Sequence, residues 1–229
     1  MFSVIIPTLQ LSPLLFPLVD SYCQSPHVDE VLVINNASPT PLSFPDPKVR
    51  VLDPGENIYV NPAWNLGAES ATAEYLIISN DDLLISPLLI PGMAARMNPK
   101  FGIVGPAWSC FEEPDSKLRL RRTYDRTYAF GTLMFLARRN YHHIPDELVI
   151  WCGDDYLFSQ QSGRNYLFSG AHIESPMSVT SSQSRFDDLK ARDEVLFQEN
   201  HGLGPYKARY RIEGGIVRRV RKTPLRRWV

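Results

Sequence analysis

The sequence predicts an α/β domain built on a mostly parallel central sheet. Three observations lead there. Short apolar runs rich in β-branched residues recur at Val4-Ile5-Ile6, Val31-Leu32-Val33-Ile34 and Leu76-Ile77-Ile78. Runs that are apolar at every position suit strands buried on both faces. Segments with helical spacing of apolar residues lie between them. The second and third of these runs end abruptly in Asn35-Asn36 and Asn80-Asp81-Asp82, and the carboxyl edge of such a sheet is where ligands bind.

Phe2 to Thr8 reads as a buried first strand closed by a proline. Leu11 to Cys23 has near-helical spacing, with Pro13 acceptable in a first turn and Pro17 expected to kink the helix. Val28 to Ile34 is the second strand. Four prolines between positions 39 and 47 make that stretch a loop. Val49 to Leu52 is a third strand, Pro54-Gly55-Glu56-Asn57 a turn, and Pro62 to Ala73 a helix with proline near its start. Tyr75 to Ser79 is the fourth strand, leading straight into the acids. Leu88 to Met97 is expected to be a helix, and Gly102 to Gly105 a fifth strand stopped by Pro106.

The texture changes after Pro106. Residues 112–126 are charged and carry Arg119, Arg121, Arg122 and Arg126. They read as a solvated loop or as a flap that holds an anion. Tyr128 to Ala137 is an expected strand, with Gly131 at a bulge or close approach. Arg138 to His143 is a polar helix or turn. Ile150-Trp151-Cys152-Gly153-Asp154-Asp155 repeats the earlier theme of an apolar approach to paired acids. A helix over Tyr156–Gln161 and a strand over Asn165–Ser169 follow, then His172. Ser182 to Asn200 has mixed charge and reads as an exposed helix.

Among the 229 residues 44% are hydrophobic, enough for a sizeable core and against disorder. The net charge of −1 hides a division. Positions 207–229 hold nine Lys/Arg against Glu213, leaving 15 basic and 24 acidic residues before them. An acidic body with a basic tail is no general nucleic-acid binder. Cys23, Cys110 and Cys152 are too few and too scattered for a disulfide framework. With no signal-peptide pattern and no run near the ~20 apolar residues of a bilayer span, a cytoplasmic protein is expected. The tail, with Arg218, Arg219, Arg221, Lys222, Arg226 and Arg227, suits contact with an anionic membrane surface.

Two adjacent carboxylates at a buried strand end repel each other unless a cation sits beside them. Asp81 and Asp82 therefore suggest a hard divalent ion with oxygen ligands, and a phosphate-bearing ligand above it. A turn is the plainer use of Asn-Asp-Asp. Asp154 and Asp155 equally suit the first turn of a following helix. Trp64 and Trp108 suit packing.

In order and spacing, four pieces resemble the family-2 glycosyltransferases with the GT-A fold. They are Val4 to Thr8, Val31 to Ser38, Asn57 through Asn65-Leu66-Gly67 to Asp82, and Gly153-Asp154-Asp155 followed by His172. The resemblance runs from Phe2 to about Ser178. It implies an inverting, metal-dependent transferase that moves a sugar from a nucleotide-diphosphate donor, UDP favoured, to a glycan or glycolipid hydroxyl. It divides the chain into a nucleotide-sugar half at 1–106, an acceptor and catalytic half at 107–182, and a C-terminal helix with basic tail at 183–229.

By the same resemblance Pro7, Thr8, Asn35, Asn36, Asn57, Asn65, Asn80 and Asp81 would shape the donor site. Asp82 would bind Mn2+ or Mg2+, with His172 completing its shell. Asp155 would be the catalytic base beside Asp154. Trp151 and the cluster of Arg119, Arg121 and Arg122 would meet acceptor or diphosphate. Asn35 stands where the family usually has Asp, and Asp154 where it usually has Glu. In a chain this short the acceptor side is expected to be shallow, or to be completed by a partner or a second copy. Two other readings compete: a sugar nucleotidyltransferase and a non-catalytic nucleotide-sugar-binding module. The first expects a Gly-rich basic loop where Pro7-Thr8-Leu9-Gln10 stands; the second is kept alive by Asn35.

Overall fold

The structure is a computed structural model that describes residues 1–37, 39–176 and 186–201. Ser38, the start of the expected helix at 182 and the basic tail lie outside the described residues.

The described chain runs β1 (Phe2–Thr8), α1 (Leu15–Cys23), β2 (Val28–Asn35), β3 (Val49–Leu52), α2 (Val60–Ser70), β4 (Tyr75–Ser79), β5 (Leu84–Ile85), α3 (Leu89–Ala94) and β6 (Phe101–Pro106). It continues through α4 (Ser109–Glu112), β7 (Arg119–Arg122), β8 (Leu133–Ala137), α5 (Gly153–Gln160), β9 (Arg164–Ser169), β10 (Ile173–Glu174) and α6 (Asp187–Leu196). Eight strands form one sheet in the order β3-β2-β1-β4-β8-β6-β9-β7, and β5 pairs with β10 apart from it. Only β7 and β8 run against the other six.

Alternate residues of the central strands feed two cores. Phe2, Val4 and Ile6 face α1 and α3 with Leu18, Tyr22 and Met93. Ile5, Leu32 and Ile34 face α2 and α5 with Trp64, Leu157 and Phe158. That period of two, on strands covered on both sides, is why the apolar runs show no polar alternation. Truncating one of these fully buried side chains to Ala would cost about 2–5 kcal/mol.

Several local expectations shift. Pro17 makes no kink, because α1 begins at Leu15 and the proline falls in the first turn, where no i−4 acceptor is needed. The helix after Pro62 already starts at Val60 and stops at Ser70. The strand expected from Tyr128 begins only at Leu133, since Phe130–Thr132 form a 3₁₀ turn. The charged stretch expected as loop or flap contains β7, the outer edge of the sheet, paired antiparallel to β9. Arginines on an edge strand discourage further strand addition.

The order of connections positions the site. From β1 the chain moves outward to β2 and β3, then crosses back so that β4 lies on the other side of β1. This reversal opens a crevice above the carboxyl ends of β1 and β4, at Thr8 and at Asn80-Asp81-Asp82.

Candidate active site

A cavity of about 260 Å³ fills that crevice. Pro7 and Thr8 from β1, Asn36 after β2, Asn57 and the start of α2, and Asn80 to Asp82 after β4 form one wall. Arg126, Tyr128 and Gly131, the run Ile150 to Asp154, and Phe186 form the other. Asp81, Asp82 and Asp154 thus line one space, although Asp82 and Asp154 lie 72 positions apart in the sequence.

On the first wall Asp81 and Asp82 are both buried. The Thr8 hydroxyl donates to Asp81 Oδ2 at 2.5 Å and accepts from the Gln10 N–H at 2.8 Å. Burial pushes the Asp81 carboxyl up to about 6; the Thr8 hydrogen bond opposes this, and the charge of Asp82 adds to it. The Asn80 N–H donates to the Thr132 carbonyl at 3.0 Å, which ties the end of β4 to the 3₁₀ turn opposite.

On the second wall Asp154 opens α5, as an acid suited to a helix first turn. Arg126 bridges both acids: Nε donates to Asp155 Oδ1 at 2.6 Å and an Nη to Asp154 Oδ2 at 2.9 Å. Burial raises the Asp154 carboxyl above its ordinary range, against the pull of Arg126 and with the push of Asp155. The backbone at Gly131 lies so close that a Cβ there would stand 2.9 Å from Asp154 Oδ2. Trp151 lines the cavity while partly exposed, with Lys190 Nζ 6.0 Å from its ring centre.

The backbone around this space is unusual. Among the described residues Gln10, Tyr59, Ala129 and Cys152 are the non-glycine positions with positive φ, and the last three line the cavity. Such conformations cost of order 1–3 kcal/mol each and tend to gather at functional sites.

Not every expected site residue stands here. Asn35 is fully buried beneath the site, accepting from Gln10 Nε2 and donating to the Thr40 carbonyl at 2.9 Å each. It is a loop brace and does not line the cavity. Asn65 is likewise committed: it accepts from the Ile144 N–H at 2.9 Å and from the Tyr141 hydroxyl at 2.7 Å. His172 lies outside the lining, its Nδ1 3.0 Å from the Glu113 carbonyl and its N–H donating to Asp115 at 2.7 Å. Arg119, Arg121 and Arg122 sit in β7 and do not line the cavity. Asp155 faces Arg126, and its neighbour Asp154 takes the place at the cavity.

Other residues enter that sequence reading did not single out. Arg126 was one of four similar arginines, and only the close pairing across 28 residues separates it from them. Asn61 donates to the carbonyls of Leu148 at 3.0 Å and Trp151 at 2.9 Å. Phe186 arrives from a segment read as exposed.

The described residues hold no cluster of three or more His, Cys, Asp and Glu that would enclose an ion. The donor set at Asp81 and Asp82 is nevertheless all oxygen, two adjacent carboxylates lining a cavity, and so fits a hard cation.

A model of glycosyl transferase family 2 matches residues 3–154. Solved structures share the fold at low identity. A crystal structure of GalNAc-T7 with UDP, GalNAc and Mn2+ is 14% identical with a TM-score of 0.57, over 76% of this chain and 43% of that one. S. aureus TarS 1–349 is 17% identical with a TM-score of 0.55, over 72% of this chain and 57% of that one. The mannosyltransferase PcManGT from Pyrobaculum calidifontis, in complex with GDP-Man and Mn2+, is 18% identical with a TM-score of 0.53, over 72% and 53%. The chain therefore spans about half the length of the structures it matches. No curated protein matches it in sequence.

Proposed function

The chain belongs to glycosyl transferase family 2 and has the GT-A fold, and from that premise we propose that it transfers a sugar, with inversion, from a nucleotide-diphosphate donor to a hydroxyl of a glycan or glycolipid. The observation that carries the proposal is that Asp81, Asp82 and Asp154 line one cavity.

Asp82, with Asp81 beside it, would hold Mn2+ or Mg2+, and the ion would offset the charge growing on the departing diphosphate. Asn36, Asn57, Pro7 and Thr8 form the wall for the nucleotide. Asp154, at the far wall, takes the proton of the acceptor hydroxyl as its oxygen attacks the anomeric carbon. The bond from that carbon to the diphosphate oxygen breaks on the opposite side, and nucleoside diphosphate leaves. A base that takes the proton as the acceptor oxygen attacks from the side opposite the leaving group suits a single in-line displacement, which inverts the carbon. Arg126, 2.9 Å from Asp154, favours its ionised form against the burial that raises it. Trp151 offers a flat apolar face for an acceptor ring.

A UDP-sugar is the first donor to try, on the likeness to GalNAc-T7 solved with UDP, and a GDP-sugar the second, on the likeness to PcManGT. The test is nucleoside diphosphate release from a panel of nucleotide-sugars with Mn2+. Slow release without acceptor is expected. Pyrophosphate chemistry would instead indicate a nucleotidyltransferase, and binding without turnover a non-catalytic module.

A further inference from the structure

The sequence predicts an exposed helix over Ser182–Asn200, and one residue of α6 departs from it completely. Asp193 is fully buried. Its Oδ2 accepts three successive backbone N–H groups, from Val149 at 2.9 Å, Ile150 at 2.7 Å and Trp151 at 2.9 Å. Three N–H groups converging on one carboxylate oxygen make an anion nest supplied from inside the chain. On the other side of the same loop, Asn61 holds the Leu148 and Trp151 carbonyls, and its N–H donates to the Val149 carbonyl at 3.0 Å. The loop is thus gripped between α2 and α6. The next residue, Cys152, takes a left-handed conformation, and Gly153 packs so tightly that a Cβ would stand 2.0 Å from Asn61 Oδ1. Asp154 follows at once.

We propose that Asp193 is a positioning residue for Asp154, and that α6 is part of the site. The proposal rests on the transferase reading for its catalytic consequence alone. Asp193 fixes the path of 149–151, that path fixes the left-handed turn at Cys152, and the turn aims Asp154 into the cavity and leaves Trp151 at its rim. The rest of α6 is held in place for this task. Arg192 donates to the Glu147 carbonyl at 3.0 Å, and His201 Nε2 lies 3.0 Å from the Glu147 carboxylate in the π turn that follows α6. The helix also delivers Phe186 to the cavity at its start. A family match that ends at residue 154 leaves this contribution outside it.

The test compares wild type, Asp193→Ala and Asp193→Asn in the full chain by amide hydrogen exchange and by nucleoside diphosphate release from a UDP-sugar with Mn2+. In Asp193→Ala the amides of 149–151 should exchange about tenfold faster or more, with β1 and β4 unchanged. The turnover number should fall about tenfold or more while donor KM moves less than about threefold. Asp193→Asn, which keeps one oxygen acceptor, should be intermediate in both. Unchanged exchange at 149–151 overturns the proposal, and so does a loosened loop with unchanged turnover. If Asp193→Ala loses protection throughout the sheet, Asp193→Asn decides by the same criteria; global loss there too makes Asp193 a residue of the fold and sinks the proposal. If wild type releases no nucleotide from any donor, the transferase reading falls, and exchange at 149–151 alone decides whether the anchor exists.

Discussion

Asp81 and Asp82 leave the end of a buried strand; Asp154 and Asp155 enter the first turn of a helix. Both are pairs of adjacent acids, and Asp81, Asp82 and Asp154 line the same cavity, yet the pairs are treated differently. The helix pair has its own arginine, Arg126, gripping both carboxylates. In the strand pair Asp81 accepts from a neutral hydroxyl, and burial pushes its carboxyl up to about 6. Burial raises the Asp154 carboxyl as it raises that of Asp81; the group opposing it is a charged arginine at Asp154 and an uncharged hydroxyl at Asp81. Under the proposed function the pair gripped by Arg126 would supply the base, and the pair at the strand end the cation site.

The strongest way to break this division is to remove one acid at a time. Asp82→Ala and Asp154→Asn should each lower nucleoside diphosphate release by about a hundredfold or more. Equal loss of activity leaves the roles unseparated, so the binding behaviour of the two variants carries the distinction. Gly131→Ala sharpens the claim about the second wall without touching an acid. The added methyl would press on Asp154 from 2.9 Å, and the turnover number should fall about tenfold with donor KM little changed.

Arg126→Ala probes the charge balance directly. Arg126 pulls the Asp154 carboxyl down, while burial and Asp155 push it up, and Cys152 stays neutral because burial raises its thiol to about 12. Without the arginine the carboxyl titrates at higher pH. A base must be ionised, so the acid limb of the pH–rate profile should move to higher pH. No movement would mean that Asp154 is not the base.

Glu30 supplies the contrast of a buried acid far from the cavity. It accepts from Ser3 Oγ at 2.7 Å, Thr72 N–H at 2.7 Å, Thr72 Oγ1 at 2.6 Å and Arg50 at 2.9 Å. Burial pushes its carboxyl up, but those donors together hold it below the ordinary value. Its stabilisation is therefore present above the unfolded-state value and is lost as pH falls through the lowered folded one. Glu30→Gln should cost about 2 kcal/mol in chemical denaturation and leave turnover per folded molecule unchanged.

These contrasts mark what could be read in advance. The strand ends at Thr8, Asn36 and Asp81-Asp82 were legible because a buried parallel strand has no use for such residues except at its ligand-facing edge. Asp154 was legible as part of the second acid motif, but not that it lines the cavity while Asp155 does not, since adjacent helical residues point about 100° apart and only the docking of α5 decides which faces inward. Asn35 and Asn65 were misplaced for a related reason: an amide satisfies a loop as well as a ligand, and the loop partners Thr40 and Ile144 are set by tertiary structure. Arg126 and Asp193 act over 28 and more than 40 residues, distances at which residue type and periodicity say nothing.

The most direct test is titration calorimetry of UDP with Mn2+ into wild type, Asp82→Ala and Asp154→Asn. A cation site on the strand wall and a base on the helix wall predict that Asp82→Ala loses metal-dependent binding while Asp154→Asn keeps it near wild type. Binding that survives in Asp82→Ala, or that vanishes equally in both, would contradict the division.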